Sequence, residues 1–362
     1  MRRSAMIKVR GRARAKIMRA LHIFLSTVIP VARNARLRHS QLLQVLLYSF
    51  KTGLSVSKSA EANGWSHSAV VRLLAKTNHK ALADAMVKAV AAAIPKRLLA
   101  RISLYAVDYT FIPHKGKSMA DLARGVSLKL LVAYSPGRLA VLVGLETIST
   151  DKEELYKSML AKAPRGSVVV ADAEFSSKAG LGALLDAADR GLIGGFVVKA
   201  NRRWWGGAWE AVRQARRGSP VPVEVLGRTV YAWRVVERKR SRGRVAEEEA
   251  MLFSSSPSFG PGLYRRRWKV EALFEAVKGR LPLMKFRKCQ SRLLVFAFVL
   301  LLCFLCWAYG ISVPDFALSL GLEAHSGVNR GGAYSPDFFA GFLVGVISSF
   351  TSVLVALLAL GL

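Results

Sequence analysis

Hydrophobic and polar positions change their period twice along the chain. Over residues 41–50, QLLQVLLYSF repeats at helical spacing, and Gly53 ends the run. A short helical piece follows near Ser57–Ala62, Gly64 supplies a turn, and Ser66 is placed to cap the helix SAVVRLLAK, which carries Arg72 and Lys76. Residues 81–100 read as a connecting helix that ends near Pro95. The period then shortens. Strands are predicted over 102–112, 126–135 and 139–148, with Pro136-Gly137 turning the second into the third. A helix at 152–163, a strand at 167–175, a helix at 177–189 and a strand at 196–200 come next. Three meandering strands followed by strand–helix–strand units make an α/β sheet of mixed direction. Residues 201–259 turn irregular and then β-like, and read as an insertion ahead of the last amphipathic helix.

That helix is predicted as one piece over Tyr264–Lys278, YRRRWKVEALFEAVK, with Gly279 and Pro282 just beyond it. At helical spacing Tyr264, Arg267, Glu271, Glu275 and Lys278 fall within roughly 80° of arc. Val270, Leu273, Phe274, Val277 and Leu281 gather beside them. One face is therefore apolar, and next to it runs a stripe with carboxylates between cations. Two uncharged apolar segments follow, 293–313 and 338–362, each long enough to span a bilayer. The first equally fits a wholly buried core helix, which is the preferred reading. The second carries Gly341, Gly345, Ser348, Ser349, Thr351 and Ser352, and fits core packing, a partner helix or membrane contact alike.

Charge narrows the partners. A formal net charge of +32 over 362 residues is far more than solubility needs, and points to a polyanion. No Asp or Glu precedes Glu61, while Arg and Lys crowd residues 2–38, read as a basic arm, and a second basic cluster runs from Arg265 to Arg292. Residues 39–100 then take on meaning, because helix, glycine turn and helix outline a helix-turn-helix whose second helix can enter a DNA major groove with Arg72 and Lys76. Cys289, Cys303 and Cys306 are too few and too apolar in setting for zinc or redox chemistry, and fit core thiols of an intracellular protein. The basic N-terminus lacks a convincing cleavage site, so no signal peptide is expected.

Carboxylates are scarce, so those on apolar strands stand out. Asp108 sits within YAVDYTFI, and Asp172 ends VVVAD, where an α/β sheet usually places its site. Either has a structural alternative: Asp108 can pair with an arginine, and Asp172 can cap the following helix. With Glu271 they form a set of three oxygen donors on two strands and a late helix. Such a set suits two Mg²⁺ ions roughly 3.5–4 Å apart, clamping the two oxygens of an in-line phosphoryl displacement.

These residues carry a resemblance. Tyr264, Arg267, Glu271 and Lys278 match the Tyr-x2-Arg-x3-Glu-x6-Lys signature of DDE transposases of the insertion-sequence 4-like type, which have an RNase H-like catalytic core. AVDYT at Asp108 resembles the first catalytic motif of that family. ADAEF at Asp172 resembles the second, although Gly is commoner where Glu174 stands, which leaves Glu174 a rival ligand. The resemblance covers roughly residues 100–310. It implies an RNase H-like mixed sheet, first part 101–200, interrupted by a β-rich insertion over 201–259 and completed by 260–313. The basic arm and helical DNA-binding region precede it, and residues 314–362 remain without a role.

The resemblance further implies that Asp108, Asp172 and Glu271 ligate two Mg²⁺, for which Mn²⁺ can substitute, and that Arg267, Lys278 and Tyr264 contact phosphates of an element end. The expected activity is cleavage and strand transfer of double-stranded DNA by a homodimer at the nucleoid. A catalytically inactive DNA-binding derivative or repressor is the alternative. A membrane-associated protein built on the apolar segments is a further reading, which leaves the acids without a role. Trp204 and Trp205 can stack on an unpaired base or fill the core of the insertion, and Lys199 can contact phosphate. His114 is not needed by a two-metal mechanism.

Overall fold

A computed structural model describes residues 2–94, 104–113, 127–136, 139–146, 150–241, 244–278, 288–311 and 316. The first helix, α1 (Arg2–Val28), differs from the expected basic arm. Ile17, Leu21, Phe24 and Val28 recur at helical spacing and are completely buried, so its second half is a core helix. The abundance of Arg and Lys around that stripe hides it from a reading by charge. Next come α2 (His39–Thr52), α3 (Val56–Ala62) and α4 (His67–Leu74). Gly53, at φ 71°, caps α2 in the left-handed region that suits glycine. Ser66 caps α4 by accepting the Ala69 N–H at 3.2 Å, as its sequence position predicts. Arg72 is exposed on α4, whereas Lys76 lies in the turn after it because α4 ends at Leu74. A 3-10 turn leads into α5 (Leu82–Ala93), which packs with α1.

The sheet begins with β1 (Leu104–Pro113), β2 (Ser127–Ser135) and β3 (Leu139–Glu146), paired antiparallel. Helix α6 (Lys152–Ala161) leads to β4 (Val168–Ala171), and α7 (Lys178–Asp189) to β5 (Gly195–Ala200). Both strands run parallel to β1. After β5 come α8 (Gly206–Arg213), which the sequence pattern does not predict, and β6 (Pro220–Val225), β7 (Arg228–Ser241) and β8 (Arg244–Ser254). These strands continue the same sheet: β8 pairs antiparallel with β5, giving the order β3-β2-β1-β4-β5-β8-β7-β6. The mixed α/β architecture is consistent with an RNase H-like transposase domain, with the inserted strands added at its β5 edge.

The predicted helix over Tyr264–Lys278 is two helices, α9 (Pro261–Arg265) and α10 (Trp268–Lys278). At the junction the Arg267 N–H donates to the Tyr264 carbonyl at 3.0 Å and Val270 to Arg267 at 2.9 Å, three-residue turns that break the α-helical ladder. Propensity favours an unbroken helix here; ion pairs made by Arg267, described below, hold the turn instead. Helix α11 (Cys289–Ala308) is the longest apolar element described. By length and composition alone it can cross a membrane, yet most of it is buried inside the protein, which matches the core-helix reading. Its three cysteines, Cys289, Cys303 and Cys306, are buried and form no disulfide. The apolar segment 338–362 lies outside the described residues.

Alternation along β1 assigns the faces of the sheet. The Tyr105 hydroxyl donates to the Met159 carbonyl of α6 at 2.9 Å, so odd-numbered β1 residues face α6. Ala106 pairs with Tyr134, whose ring meets Phe304 of α11 edge-on at 6.1 Å, so even-numbered residues face α11. Phe304 is completely enclosed in this core. Phe304→Ala is expected to cost about 3–5 kcal/mol by leaving a cavity. Urea unfolding of the full chain measures it, and a loss below about 1 kcal/mol would remove α11 from the core.

Candidate active site

Asp108 and Asp172 are neighbours because of register. Ala106 on β1 lies opposite Val170 on β4, and each aspartate follows two residues later, on the α11 side of the sheet. Asp172 closes β4 and opens a 3-10 turn, Ala173–Ser176. It makes no capping bond there, and α7 is capped by Ser177, which accepts the Gly180 N–H at 3.2 Å. The capping role open to Asp172 in the sequence is thus filled by a serine. Gly180 also lets α7 lie against the turn, since a Cβ there would come within 2.5 Å of the Phe175 carbonyl oxygen.

The helical part of the signature folds onto these strands. The Tyr264 hydroxyl donates to Asp172 Oδ1 at 3.3 Å. Arg267 donates through one guanidinium nitrogen to Asp108 Oδ2 and pairs through the other with Glu271 at 2.7 Å. Asp108 Oδ1 accepts the Tyr109 N–H at 2.8 Å. Side-chain exposure rises from 9% at Arg267 and 14% at Asp108 to 46% at Glu271, so the cluster opens to solvent on the α10 side. Asp108, Asp172, Glu271, Tyr264 and Arg267 are therefore brought together. Lys278 ends α10, and its side chain lies outside the described part, as does His114.

Glu174 goes elsewhere. It is ion-paired with Lys129 and sits 3.7 Å from Lys152, and both lysines also hold Glu146, at 3.0 and 3.3 Å. Lys129 lies 4.2 Å above the Tyr109 ring, which stacks on Phe175. Tyr109 belongs to the α6 face, opposite to Asp108. The 3-10 turn that follows β4 carries Glu174 away from the two aspartates.

Ser176, which no motif singles out, ties the turn after Asp172 to the loop after β5. Its hydroxyl accepts the Asn201 N–H at 2.9 Å, and its carbonyl accepts the Trp205 indole N–H at 2.7 Å. Trp205 is thereby anchored, edge-on to Phe253, whereas Trp204 beside it is 48% exposed. Lys199 is paired with Glu237 at 2.6 Å.

Electrostatics follow from this crowding. Burial pushes the Asp108 carboxyl up to about 6; Arg267 and the Tyr109 N–H pull it down, while Asp172 and Glu271 add to the rise. Burial alone would lower the pKa of Arg267, but Tyr264, Asp108, Asp172 and Glu271 outweigh it and hold the guanidinium above its usual value. The donor set for a metal is all carboxylate, the chemistry that Mg²⁺ prefers. Among the described residues no three acid, imidazole or thiol groups converge as they stand to hold an ion, and the cation between Asp108 and Glu271 is Arg267. The donors suit a divalent ion once that guanidinium gives way.

Because the folded chain holds the Asp108 proton more tightly than the unfolded chain, this group favours folding at low pH and ceases to do so as pH rises through about 6. Between about pH 4 and pH 7 the metal-free protein is expected to lose on the order of 2–3 kcal/mol relative to Asp108→Asn. Urea midpoints of both proteins with a chelator present measure the difference, and parallel pH profiles would refute it.

Residues 99–307, more than half of the chain, match the family described as transposase DDE domain. No curated protein matches the chain. The matched span opens just before β1 and closes within α11, taking in every element that supplies a carboxylate to the cluster, and the chain belongs to the transposase DDE domain family.

Proposed function

We propose that the protein is a metal-dependent DNA transposase of the insertion-sequence 4-like type, which binds element ends, cleaves them and joins them to target DNA. Membership of the family implies DNA as a partner. The observation that carries the finer reading is the closure of the Tyr-Arg-Glu part of the signature onto the two strand aspartates, through Tyr264 to Asp172 and Arg267 to Asp108 and Glu271. Residues distant in sequence come together on one side of the sheet, and their carboxylates are the donor type that two-metal phosphoryl transfer uses.

In this reading Asp108, Asp172 and Glu271 hold two Mg²⁺, or Mn²⁺, whose chemistry is to polarise phosphodiester oxygens and make water a better nucleophile at neutral pH. Asp108 and Asp172 fix the donor set to the rigid sheet, and Glu271 completes it from α10 at the solvent side. Arg267 balances the acids until a DNA phosphate arrives, then turns to that phosphate with Lys278, while Tyr264 orients Asp172. Trp204 is free to stack on a base unpaired near the cut, and Trp205 supports it from its anchored position. Helices α3 and α4 act as a helix-turn-helix on the duplex, with Arg72 and Lys76 facing phosphates or base edges. Two copies act together, one for each element end.

A repressor-like reading shares the DNA contacts but not the chemistry. Glu271→Gln separates the two. It removes a metal ligand at the exposed end of the cluster while keeping the shape of the side chain. Strand cleavage of duplexes carrying the ends of the encoding element, in Mg²⁺, is expected to fall at least a hundredfold, with end binding by gel shift changed less than about threefold. Cleavage retained by the variant would defeat the enzyme reading. Binding without cleavage by the unmodified chain would favour the repressor.

A further inference from the structure

The charged cluster behind the two aspartates takes no part in the chemistry proposed above, yet its members are chain neighbours of both. Asp108 is followed by Tyr109, whose N–H donates to Asp108 Oδ1 at 2.8 Å while its ring faces α6. Asp172 is followed by Glu174 and Phe175 in the 3-10 turn. The two neighbourhoods meet, because the Phe175 ring stacks on Tyr109 with centroids 5.4 Å apart. Lys129 completes the contact. On β2 it lies opposite Phe111, an odd-numbered β1 residue, so its side chain faces α6 as Tyr109 does. From there its ammonium lies 4.2 Å from the Tyr109 ring centroid, pairs with Glu174 and is held by Glu146 of β3 at 3.0 Å. One cation thus touches the residue after Asp108 and the residue two places after Asp172.

The turn after β4 needs such a tie. The ladder between β1 and β4 ends at Val107↔Ala171, so Asp172 stands just past the last paired residue. On the β5 flank the turn is fastened by Ser176, which accepts the Asn201 N–H at 2.9 Å. On the β1 flank it is fastened by the Tyr109–Phe175 stack and the Lys129–Glu174 pair. The two charged side chains are only 22% and 34% exposed, so salt screens them less than it does a surface pair. Divalent-ion affinity depends steeply on how donors are spaced and aimed, and groups that hold the donors from behind carry a measurable part of it.

We infer that Lys129 is a positioning residue for the metal site: acting through Tyr109 and Glu174 from the back of the sheet, it sets where Asp172 stands relative to Asp108. This rests on the two aspartates being metal ligands, as proposed above. It also gives Glu174 a place, as the handle by which the turn is held and not as a ligand.

The test compares Lys129→Met, which keeps an apolar stem and removes the charge, with the unmodified full chain. The Mg²⁺ concentration for half-maximal cleavage of element-end duplexes is expected to rise about tenfold, with the rate at saturating Mg²⁺ within about threefold. Mn²⁺ binding to the free chain, followed by electron paramagnetic resonance, should weaken about tenfold as well. Lys129→Arg keeps a cation over Tyr109 and should stay within about twofold in both readouts. Glu174→Ala opens the same pair from its more exposed end and should shift both in the same direction, so the outcome does not hang on the folding of Lys129→Met. Glu174→Gln keeps an acceptor for the lysine and should shift neither. Arg228→Ala cuts ion pairs to Asp186 and Asp189 of α7, away from the aspartates, and should leave both unchanged. Unshifted metal dependence in both Lys129→Met and Glu174→Ala would overturn the inference, as would an equal shift in Arg228→Ala. An unmodified chain that neither binds Mn²⁺ nor cuts the ends in Mg²⁺ would instead defeat the transposase reading on which the inference stands.

Discussion

A buried guanidinium joins the two halves of this site. Arg267 links Asp108, on strand β1 of the sheet, to Glu271, on a helix more than 150 residues later in the chain. Taking these charges out of water is expensive, and pairing of the two terminal guanidinium nitrogens with Asp108 and Glu271 offsets part of that cost, although the buried Nε of Arg267 has no hydrogen-bond partner among the described residues. That demand shapes its surroundings. It fixes the turn between α9 and α10, seats α10 beside β1 and brings Tyr264 within reach of Asp172. Removing the arginine would leave the buried Asp108 beside Asp172, with Glu271 at the solvent side, and no guanidinium between them to balance their charge.

The sheet supplies the second constraint. Parallel pairing of β1 with β4 sets two aspartates side by side on one face, and strand alternation sends Tyr109 and its lysine–glutamate cluster to the other. Pairing of β5 with β8 extends the same sheet through β7 to β6. The rigid strands thus hold the two aspartates, while Glu271 reaches the cluster from α10.

Much of this was legible from local signals. Asp108 and Asp172 stand out because acids are rare in a chain of net charge +32, and the spacing from Tyr264 to Lys278 is a local pattern. The features that escaped depend on distant partners. The helix over 264–278 breaks because Arg267 answers to Asp108, a contact invisible in local propensity. The inserted strands looked like a separate unit because pairing of β8 with β5 is non-local. The buried stripe of α1, Ile17 to Val28, was masked by the basic residues around it. Glu174 is a rival of Asp172 in the sequence because it lies two positions further on, where a continuing strand would place both on one face, and only the end of β4 and the 3-10 turn after it send them to different faces.

That last distinction carries the central claim, which is that the acids on the α11 side of the sheet, and not the cluster behind it, perform the chemistry. The most direct measurement is Mg²⁺-dependent strand cleavage by Asp172→Asn and Glu174→Gln, compared on the same element-end duplexes. Loss of cleavage in Asp172→Asn, with Glu174→Gln within about threefold of the unmodified chain, is the predicted result. An inactive Glu174→Gln beside an active Asp172→Asn would contradict the account and move the site to the opposite face of the sheet.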